Sequence, residues 1–333
     1  MLCYMMMAIN HIENEYVILS NGNKMPIIAL GTSRITPTGT VEAISNAIDI
    51  GYRHIDTSEL YKNFVEVGIG IQKAILSGKV KRDELFITAK LAPRYEQCGD
   101  IEYSLSQCLQ YLKIEYVDIC MLHTPVQFKK DVREYKDHAN LYAYLNGICD
   151  HQTLWKEMEA VVSKGLAKSL GVSNFNLTQL TRLLQFCKIR PAAIQTEMHA
   201  YLQENEILEF CRHNDIVVMA YAPLGSPGLS KFNPCYVECE VLNDPVVVEL
   251  AKQHRRTPAQ ICLRHHIQRG VGVMPKSSNT NRMKENLKIF DFHLTDTDLA
   301  RLSQLNVNRR IFTYHFLRNH PQYPYPGSED EKS

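Results

Sequence analysis

The 333-residue sequence has almost no net charge, one tryptophan and no long hydrophobic run. Its 37 basic and 36 acidic residues give a formal net charge of +1. Binding to a polyanion needs a basic excess, so nucleic acid is not an expected partner. No apolar stretch is long enough to cross a bilayer, and the apolar residues 1–7 lack the basic region of a signal peptide. No membrane association is therefore expected.

The ten cysteines form no C-x-x-C pair, and the closest two are Cys235 and Cys239. In a chain of this length, scattered cysteines are typical of reduced, buried thiols rather than of a disulfide framework. His265 and His266 lack the spacing of a metal-binding motif. We therefore expect a soluble, cytoplasmic protein without a metal site.

Short runs rich in β-branched residues alternate with segments of helical spacing along the chain. Eight such repeats predict an α/β fold with a parallel sheet closed into a (β/α)8 TIM barrel, formed as one domain by residues 16–307. A doubly wound sheet is the alternative that this pattern leaves open. The predicted strands cover residues 26–31, 52–56, 85–90, 117–123, 166–173, 192–197, 216–221 and 271–276.

Three further segments extend this barrel. The turn sequence Asn21-Gly22 between residues 16–19 and 24–27 predicts an N-terminal β-hairpin that covers one mouth of the barrel. Residues 124–151 after strand 4 and 225–244 after strand 7 are long βα loops, which lie on the face where barrel active sites form. The tyrosine-rich tail, residues 308–333, is expected to contribute to a substrate pocket and to end in a frayed acidic segment.

Polar residues stand where the predicted strands end. Asp56, Lys90 and His123 do so on three successive strands, and strand ends of a barrel converge on one pocket. A strand-end polar residue often only meets solvent, but three in succession favour a catalytic site. Other strand-end polar residues are Ser173, Asn174, Gln195, Glu197, Tyr221 and Lys276.

Three segments in this order resemble the signatures of the aldo-keto reductases. They are GYRHIDTSELY at residues 51–61, LGVSNF at 170–175 and MPKSS at 274–278, the last continuing through Arg282 to Glu285 and Asn286. The resemblance implies an NADPH-dependent carbonyl reductase on a (β/α)8 barrel, with a small-molecule aldehyde or ketone as substrate. It also implies a monomer.

The resemblance places the catalytic residues at Asp56, Tyr61, Lys90 and His123. Hydride transfer to a carbonyl needs a proton for the forming alkoxide, and a phenol with a pKa near ~10 is a weak donor. We expect Tyr61 to be the general acid, with its pKa lowered by Lys90. Asp56 then keeps Lys90 charged, and His123 orients the substrate oxygen.

The resemblance also implies the cofactor-binding residues. Lys276 and Arg282 favour NADPH over NADH, because a dianionic phosphate needs cationic donors. The nicotinamide amide is expected to bind to Ser173, Asn174 and Gln195. The nicotinamide ring is expected to stack on Tyr221. The pyrophosphate is expected to bind to Leu224 and Ser226. The 2′-phosphate and the adenine are expected to bind to Lys276, Ser277, Arg282, Glu285 and Asn286. Gly31, Thr32 and Asp56 complete the cofactor site.

The sequence departs from the family pattern in its pocket. Ser33, Ala92 and Thr124 stand where many relatives carry bulky residues, so we expect a wide pocket that takes a bulky or steroid-like ketone. Ser33 and Thr124, with Tyr61 and His123, are the expected substrate contacts. Gly228 replaces an acidic residue of some relatives, which predicts a looser hold on the cofactor.

Two other functions remain open from the sequence. The first is a catalytically silent barrel retained for NADPH binding or for a structural purpose. The second is aldol chemistry with Lys90 as a Schiff-base lysine. His123 in place of a glutamate favours carbonyl reduction over reduction of a carbon–carbon double bond.

Overall fold

The computed structural model describes residues 15–93, 99–127, 147–231, 238–314 and 317–327. Its main sheet has eight parallel strands in the order β3 to β10. Parallel bridges from Ile28 to Val273 and from Gly31 to Lys276 join the first strand to the last. The predicted barrel is therefore confirmed. Its strands are β3 (Leu30–Gly31), β4 (His54–Ser58), β5 (Phe86–Leu91), β6 (Ile119–Leu122), β7 (Leu170–Ser173), β8 (Ala193–Glu197), β9 (Val217–Tyr221) and β10 (Val271–Met274).

Ten α-helices lie in the described ranges, and they connect or follow the barrel strands. One helix stands in each crossover as far as β9, two stand between β9 and β10, and two follow β10. They are α1 (Pro37–Ile50), α2 (Phe64–Leu76), α3 (Asp100–Leu112), α4 (His151–Ser163), α5 (Leu177–Phe186), α6 (Asn205–His213), α7 (Pro245–His254), α8 (Pro258–Gln268), α9 (Thr280–Leu287) and α10 (Asp296–Ser303). None of these helices is long and apolar enough to cross a membrane.

Local sequence sets several helix ends. The Thr36 side chain accepts a hydrogen bond from the Gly39 backbone at the start of α1, and Gly51 ends that helix with a φ of 119°. Thr257 caps α8 and Thr295 caps α10, each through a capping box. Short stretches of sequence thus decide where these three helices begin or end.

The N-terminal hairpin consists of β1 (Tyr16–Ile18) and β2 (Lys24–Pro26), paired antiparallel. Its buried side chains Val17 and Met25 belong to the same apolar cluster as Ile119, Met121 and Met219 of the barrel strands. Alternate residues of β6 pack instead in the larger cluster that includes residues of the surrounding helices. The hairpin therefore packs against the barrel interior, as expected.

The strand ends differ from the predictions by a few residues. Pro26 pairs with Tyr16 in the hairpin, so it belongs to β2 and not to the first barrel strand. β4 continues past Asp56 to Ser58, which lies opposite Lys90. Parts of both long loops, 128–146 and 232–237, lie outside the described residues, as do the chain start, 1–14, and the acidic end, 328–333.

Candidate active site

Asp56 and Lys90 form a buried ion pair on neighbouring strands. Ser58 lies opposite Lys90 in the register of β4 and β5, and side chains alternate along a strand, so Asp56 and Lys90 share a face. The Nζ of Lys90 is 2.6 Å from both carboxylate oxygens of Asp56. Burial lowers the pKa of Lys90, whereas the charge and hydrogen bonds of Asp56 raise it. Loss of one partner would leave the other charge buried and uncompensated.

Gln195, in the middle of β8, also contacts this pair. Its Nε2 donates to Oδ1 of Asp56 at 2.7 Å. The sequence assigned Gln195 to the nicotinamide amide and Asp56 to the catalytic group. The structure joins the two groups through one hydrogen bond.

Tyr61 follows β4 in a short turn, where its ring faces Lys90 and His123. The Nζ of Lys90 lies 5.3 Å from the ring centroid, and the ring of His123 lies 5.8 Å away, edge to face. Burial and the charge of Asp56 raise the pKa of Tyr61 well above 10, while Arg34 and a hydrogen bond from Ser33 lower it. The expected lowering of this pKa is corrected, because burial and the charge of Asp56 outweigh the groups that lower it.

His123 is held by a residue that sequence reasoning missed. The Oγ of Ser58 lies 2.7 Å from Nδ1 of His123. Burial and the charge of Lys90 lower the pKa of His123 to about 3, so the imidazole is neutral at neutral pH. Ser58 stands two residues after Asp56, on the same face of β4, and this spacing was the signal that could have identified it.

The residues expected at the nicotinamide amide lie side by side, on or just after the neighbouring strands β7, β8 and β9. The backbone N–H of Asn174 donates to the carbonyl of Gln195, and the hydroxyl of Tyr221 donates to Oδ1 of Asn174 at 2.9 Å. Ser173 is buried next to Asn174. Their grouping agrees with the prediction, while their roles toward a cofactor stay predictions.

Cationic side chains gather between the first and last strands. Gly31 and Lys276 are bridged across the barrel closure, and the backbone N–H and hydroxyl of Thr32 both donate to the carbonyl of Asp56. Burial lowers the pKa of Lys276, and the charges of Arg282 and Arg34 lower it further. Arg34 is a second residue that sequence reasoning missed, since no motif marked it.

The remaining predicted phosphate and adenine residues lie around α9 and in the loop after β9. The hydroxyl of Ser277 accepts a hydrogen bond from the backbone N–H of Asn279. The side-chain oxygen of Asn279 in turn caps α9 by accepting from the backbone N–H of Arg282. Arg282 and Glu285 are exposed and Asn286 is buried, whereas Leu224 and Ser226 are partly buried in the loop.

An acidic side chain from another residue lies beside Gly228, although position 228 itself lacks the acidic residue found in some relatives. The carboxylate of Glu238 accepts from the backbone N–H of Gly228 at 2.6 Å and from the hydroxyl of Ser230. Glu238 thus stabilises the loop after β9 through hydrogen bonds to two residues of the same loop.

The predicted pocket residues are small, and tail aromatics pack beside them. Ser33 lies close enough to Tyr61 for its hydroxyl to lower the pKa of the phenol, and Oγ1 of Thr124 accepts a long hydrogen bond from the backbone N–H of Val126 at 3.4 Å. Ala92 lies in one buried cluster with Tyr323 and Tyr325 of the tail. Part of the space left by the small residues is therefore filled by the tail.

The comparisons with known proteins agree with this geometry. The model of the Aldo/keto reductase family matches residues 27–307. The chain belongs to the aldo/keto reductase family. Membership confirms the expectation of an aldo-keto reductase enzyme, and of NADP(H) as the cofactor used by that family.

This aldo-keto reductase is similar to several known proteins over almost its whole length. It is 37% identical to aldo-keto reductase family 1 member A1 of Gallus gallus, with 93% of the chain and 97% of that protein covered. It is 37% identical to prostaglandin F synthase 1 of Bos taurus, with 94% and 98% covered. The crystal structure of a Bombyx mori aldo-keto reductase in complex with NADP superposes with a TM-score of 0.84 at 34% identity, covering 93% of this chain and 98% of that one.

Proposed function

We propose that this enzyme reduces aldehydes and ketones to alcohols with NADPH, and that Tyr61 donates the proton to the carbonyl oxygen. The observation that carries the proposal is the buried Asp56–Lys90 pair, with the Nζ of Lys90 5.3 Å from the Tyr61 ring. Charged groups at the ends of separate strands of a barrel are typical of a catalytic site. A buried ion pair adds little net stability to a fold, so a barrel with only a structural role would have no reason to retain the Asp56–Lys90 pair.

The residues present fit NADPH. Arg34, Lys276 and Arg282 lie close enough for the two arginines to lower the pKa of Lys276. Such mutual repulsion is relieved when an anion binds among the cations, and a phosphate supplies two negative charges. Lys276 and Arg282 are proposed at the 2′-phosphate, and Arg34 at a phosphate nearby. When bound, NADPH supplies the hydride.

Tyr61 is suited to deliver one proton as that hydride reaches the carbonyl carbon. Its raised pKa keeps the phenol protonated at neutral pH, so the proton is in place before the reaction. The alkoxide that forms is a stronger base than a phenolate, and it takes the proton from the Tyr61 hydroxyl. The resulting phenolate is stabilised by Arg34 and Ser33 until a proton returns from solvent.

Neutral His123 positions the substrate oxygen. When Ser58 donates to Nδ1, the proton of the imidazole is on Nε2, where it is free to donate to a carbonyl oxygen. Because the pKa of His123 is about 3, the imidazole does not become a competing acid at neutral pH. His123 and Tyr61 thus act on the same oxygen, one by hydrogen bonding and one by proton transfer.

For the substrate, we propose a bulky apolar or steroid-like ketone. Ser33, Ala92 and Thr124 are small where the family often has bulky side chains, and tyrosines of the tail supply apolar surface beside Ala92. One relative is named for its prostaglandin product, which is a lipid larger than a sugar. A wide apolar pocket favours such substrates because buried apolar area is the main source of their affinity.

The experiment follows NADPH absorbance with pure protein and a panel of carbonyls: an aromatic aldehyde, a sugar, a lipid enal and a 3-ketosteroid. NADH is run in parallel. Turnover biased toward the 3-ketosteroid with NADPH is the expected result. Turnover biased toward the sugar would contradict the proposed substrate class. Tight NADPH binding without any turnover would contradict the reaction and favour a binding protein.

We also propose a cytoplasmic monomer composed of the barrel, 16–307, and the tail, 308–333. Cysteines in the described ranges, such as Cys120 and Cys262, are free and buried, as is typical of a reducing compartment. Light scattering after gel filtration tests the monomer, and a fluorescent fusion tests the location.

A further inference from the structure

The side-chain amide of Asn174 is hydrogen-bonded on all sides. Its Oδ1 accepts from the hydroxyls of Tyr221 at 2.9 Å and of Tyr325 at 2.8 Å. Its Nδ2 donates to the carbonyl of His123 at 2.8 Å and to Oγ of Ser173 at 3.2 Å. These bonds use both lone pairs and both hydrogens of an amide, so they fix its plane and its direction. Tyr325 is the one partner that comes from the tail.

Tyr325 is itself held rigidly. It is 8% exposed, and the guanidinium of Arg310 lies 3.7 Å from its ring centroid. The ring also stacks on Tyr314 at 6.3 Å between centroids. Burial raises the pKa of Tyr325 well above 10, so its hydroxyl remains a proton donor across the working pH range. Tyr325 is therefore a fixed donor to Asn174.

A buried carboxylate fixes the first part of the tail to the barrel. Glu197 at the end of β8 accepts from the backbone N–H groups of Ile311 at 2.7 Å and Phe312 at 2.9 Å. Arg310 pairs with Glu204 and lies 3.9 Å from Glu197. The barrel thus places Arg310, and Arg310 packs on the ring of Tyr325.

We propose that Tyr325 is a positioning residue of the nicotinamide site and acts through Asn174. The inference rests on the proposed function, in which Asn174 holds the nicotinamide amide by exchanging its longest bond, the one to Oγ of Ser173 at 3.2 Å, for a bond to the cofactor. It makes the tail part of the cofactor site, whereas the sequence pointed only to the substrate pocket. Without the hydroxyl of Tyr325, Oδ1 keeps one donor and the amide gains freedom to turn. A turned amide displaces the nicotinamide from the carbonyl, and small displacements slow hydride transfer.

The test compares Tyr325→Phe with Tyr201→Phe in the full chain. Tyr201 is a matched control because its hydroxyl likewise donates to a side-chain oxygen, Oδ2 of Asp244 at 2.7 Å, and Asp244 has no part in the proposed site. Protein fluorescence gives the Kd for NADPH, and steady-state rates give kcat and KM for the carbonyl. Tyr325→Phe should raise the Kd and lower kcat by about threefold to tenfold, with the carbonyl KM unchanged. Tyr201→Phe should leave the Kd and kcat unchanged.

A double-mutant comparison separates action through Asn174 from a general effect. In an Asn174→Ala background, Tyr325→Phe should have little further effect on the Kd or kcat. Additive effects would overturn the proposal, as would a Tyr325→Phe variant with unchanged Kd and kcat. A rise in the carbonyl KM alone would place Tyr325 in the substrate pocket and overturn it too. A wild-type protein that binds no NADPH would refute the proposed function itself, and the inference with it.

Discussion

The Oγ of Ser58 lies 2.7 Å from Nδ1 of His123, although the two residues are 65 positions apart in the sequence. Ser58 is buried on β4 and also accepts from the backbone N–H of Leu60, so its hydroxyl is fixed from both sides. This bond sets the direction of the imidazole. It links the strand that carries Asp56 to the histidine proposed to hold the substrate oxygen.

Replacement of Ser58 tests this link. Ser58→Ala should lower kcat for carbonyl reduction by about threefold to tenfold, because one hydrogen bond to His123 is lost. The Kd for NADPH should stay constant, since no cofactor residue changes. Ser45→Ala is a suitable control, because the buried hydroxyl of Ser45 has no hydrogen-bond partner among the described residues. An equal loss of rate in both variants would show that Ser58 acts only through general stability.

Tyr61→Phe should abolish reduction and leave NADPH binding almost intact. The phenol supplies the proton, whereas the described contacts of its ring with Lys90 and His123 survive the substitution. Single-turnover absorbance with bound NADPH measures the loss, and fluorescence titration measures binding. Loss of both rate and binding would contradict the role of general acid.

Lys276→Ala should weaken NADPH binding far more than NADH binding. The ammonium is proposed to contact the 2′-phosphate, which NADH lacks. Parallel fluorescence titrations with the two cofactors give the ratio of Kd values. Equal losses would refute the assignment.

Arg34→Ala provides a contrast within the same cluster. The charge of Arg34 lowers the pKa of both Tyr61 and Lys276, so Arg34 is near enough to act on each of them. We therefore expect this variant to weaken NADPH and NADH alike, as a contact to a phosphate common to both would. Selective loss of NADPH would place Arg34 at the 2′-phosphate instead.

Acid should destabilise the fold through buried histidines. Burial lowers the pKa of His54 to about 4 and of His265 to about 3, and it lowers the pKa of His266 well below 6.5. Below pH ~6.5 the unfolded chain binds protons that the folded chain does not, so the free energy of unfolding falls as pH falls. Each group contributes up to about 1.4 kcal/mol per pH unit between its two pKa values. Urea unfolding at pH 7 and pH 5 measures the difference in the free energy of unfolding, to which these histidines contribute together.

His266 offers a direct check of this mechanism. Within the part of the chain that the structure describes, both of its buried ring nitrogens lack a hydrogen-bond partner, and the charges of His265 and Arg269 also oppose its protonation. His266→Leu should reduce the dependence of the unfolding free energy on pH. His213→Gln, at an exposed site, should not change it. If the pH dependence of the unfolding free energy were the same in His266→Leu as in the wild type, His266 would not be a source of the acid destabilisation.

Local patterns were enough to predict much of the barrel. The caps at Thr36, Thr257 and Thr295 are each completed within three residues, so a short stretch of sequence specifies them. Strand limits were less well predicted, because pairing with a neighbour decides where a strand ends. Pro26 is an example, since its partner Tyr16 lies in the hairpin.

The sequence by itself determined the alternation of strands and helices, and its motifs marked Asp56, Tyr61, Lys90 and His123 as one group. The tertiary structure alone decided that Tyr325 reaches Asn174 across 151 positions and that Asp56 compensates the charge on Lys90. The physical reason is distance along the chain. Periodicity and caps depend on neighbouring residues, whereas burial, strand register and side-chain packing arise only when remote segments meet.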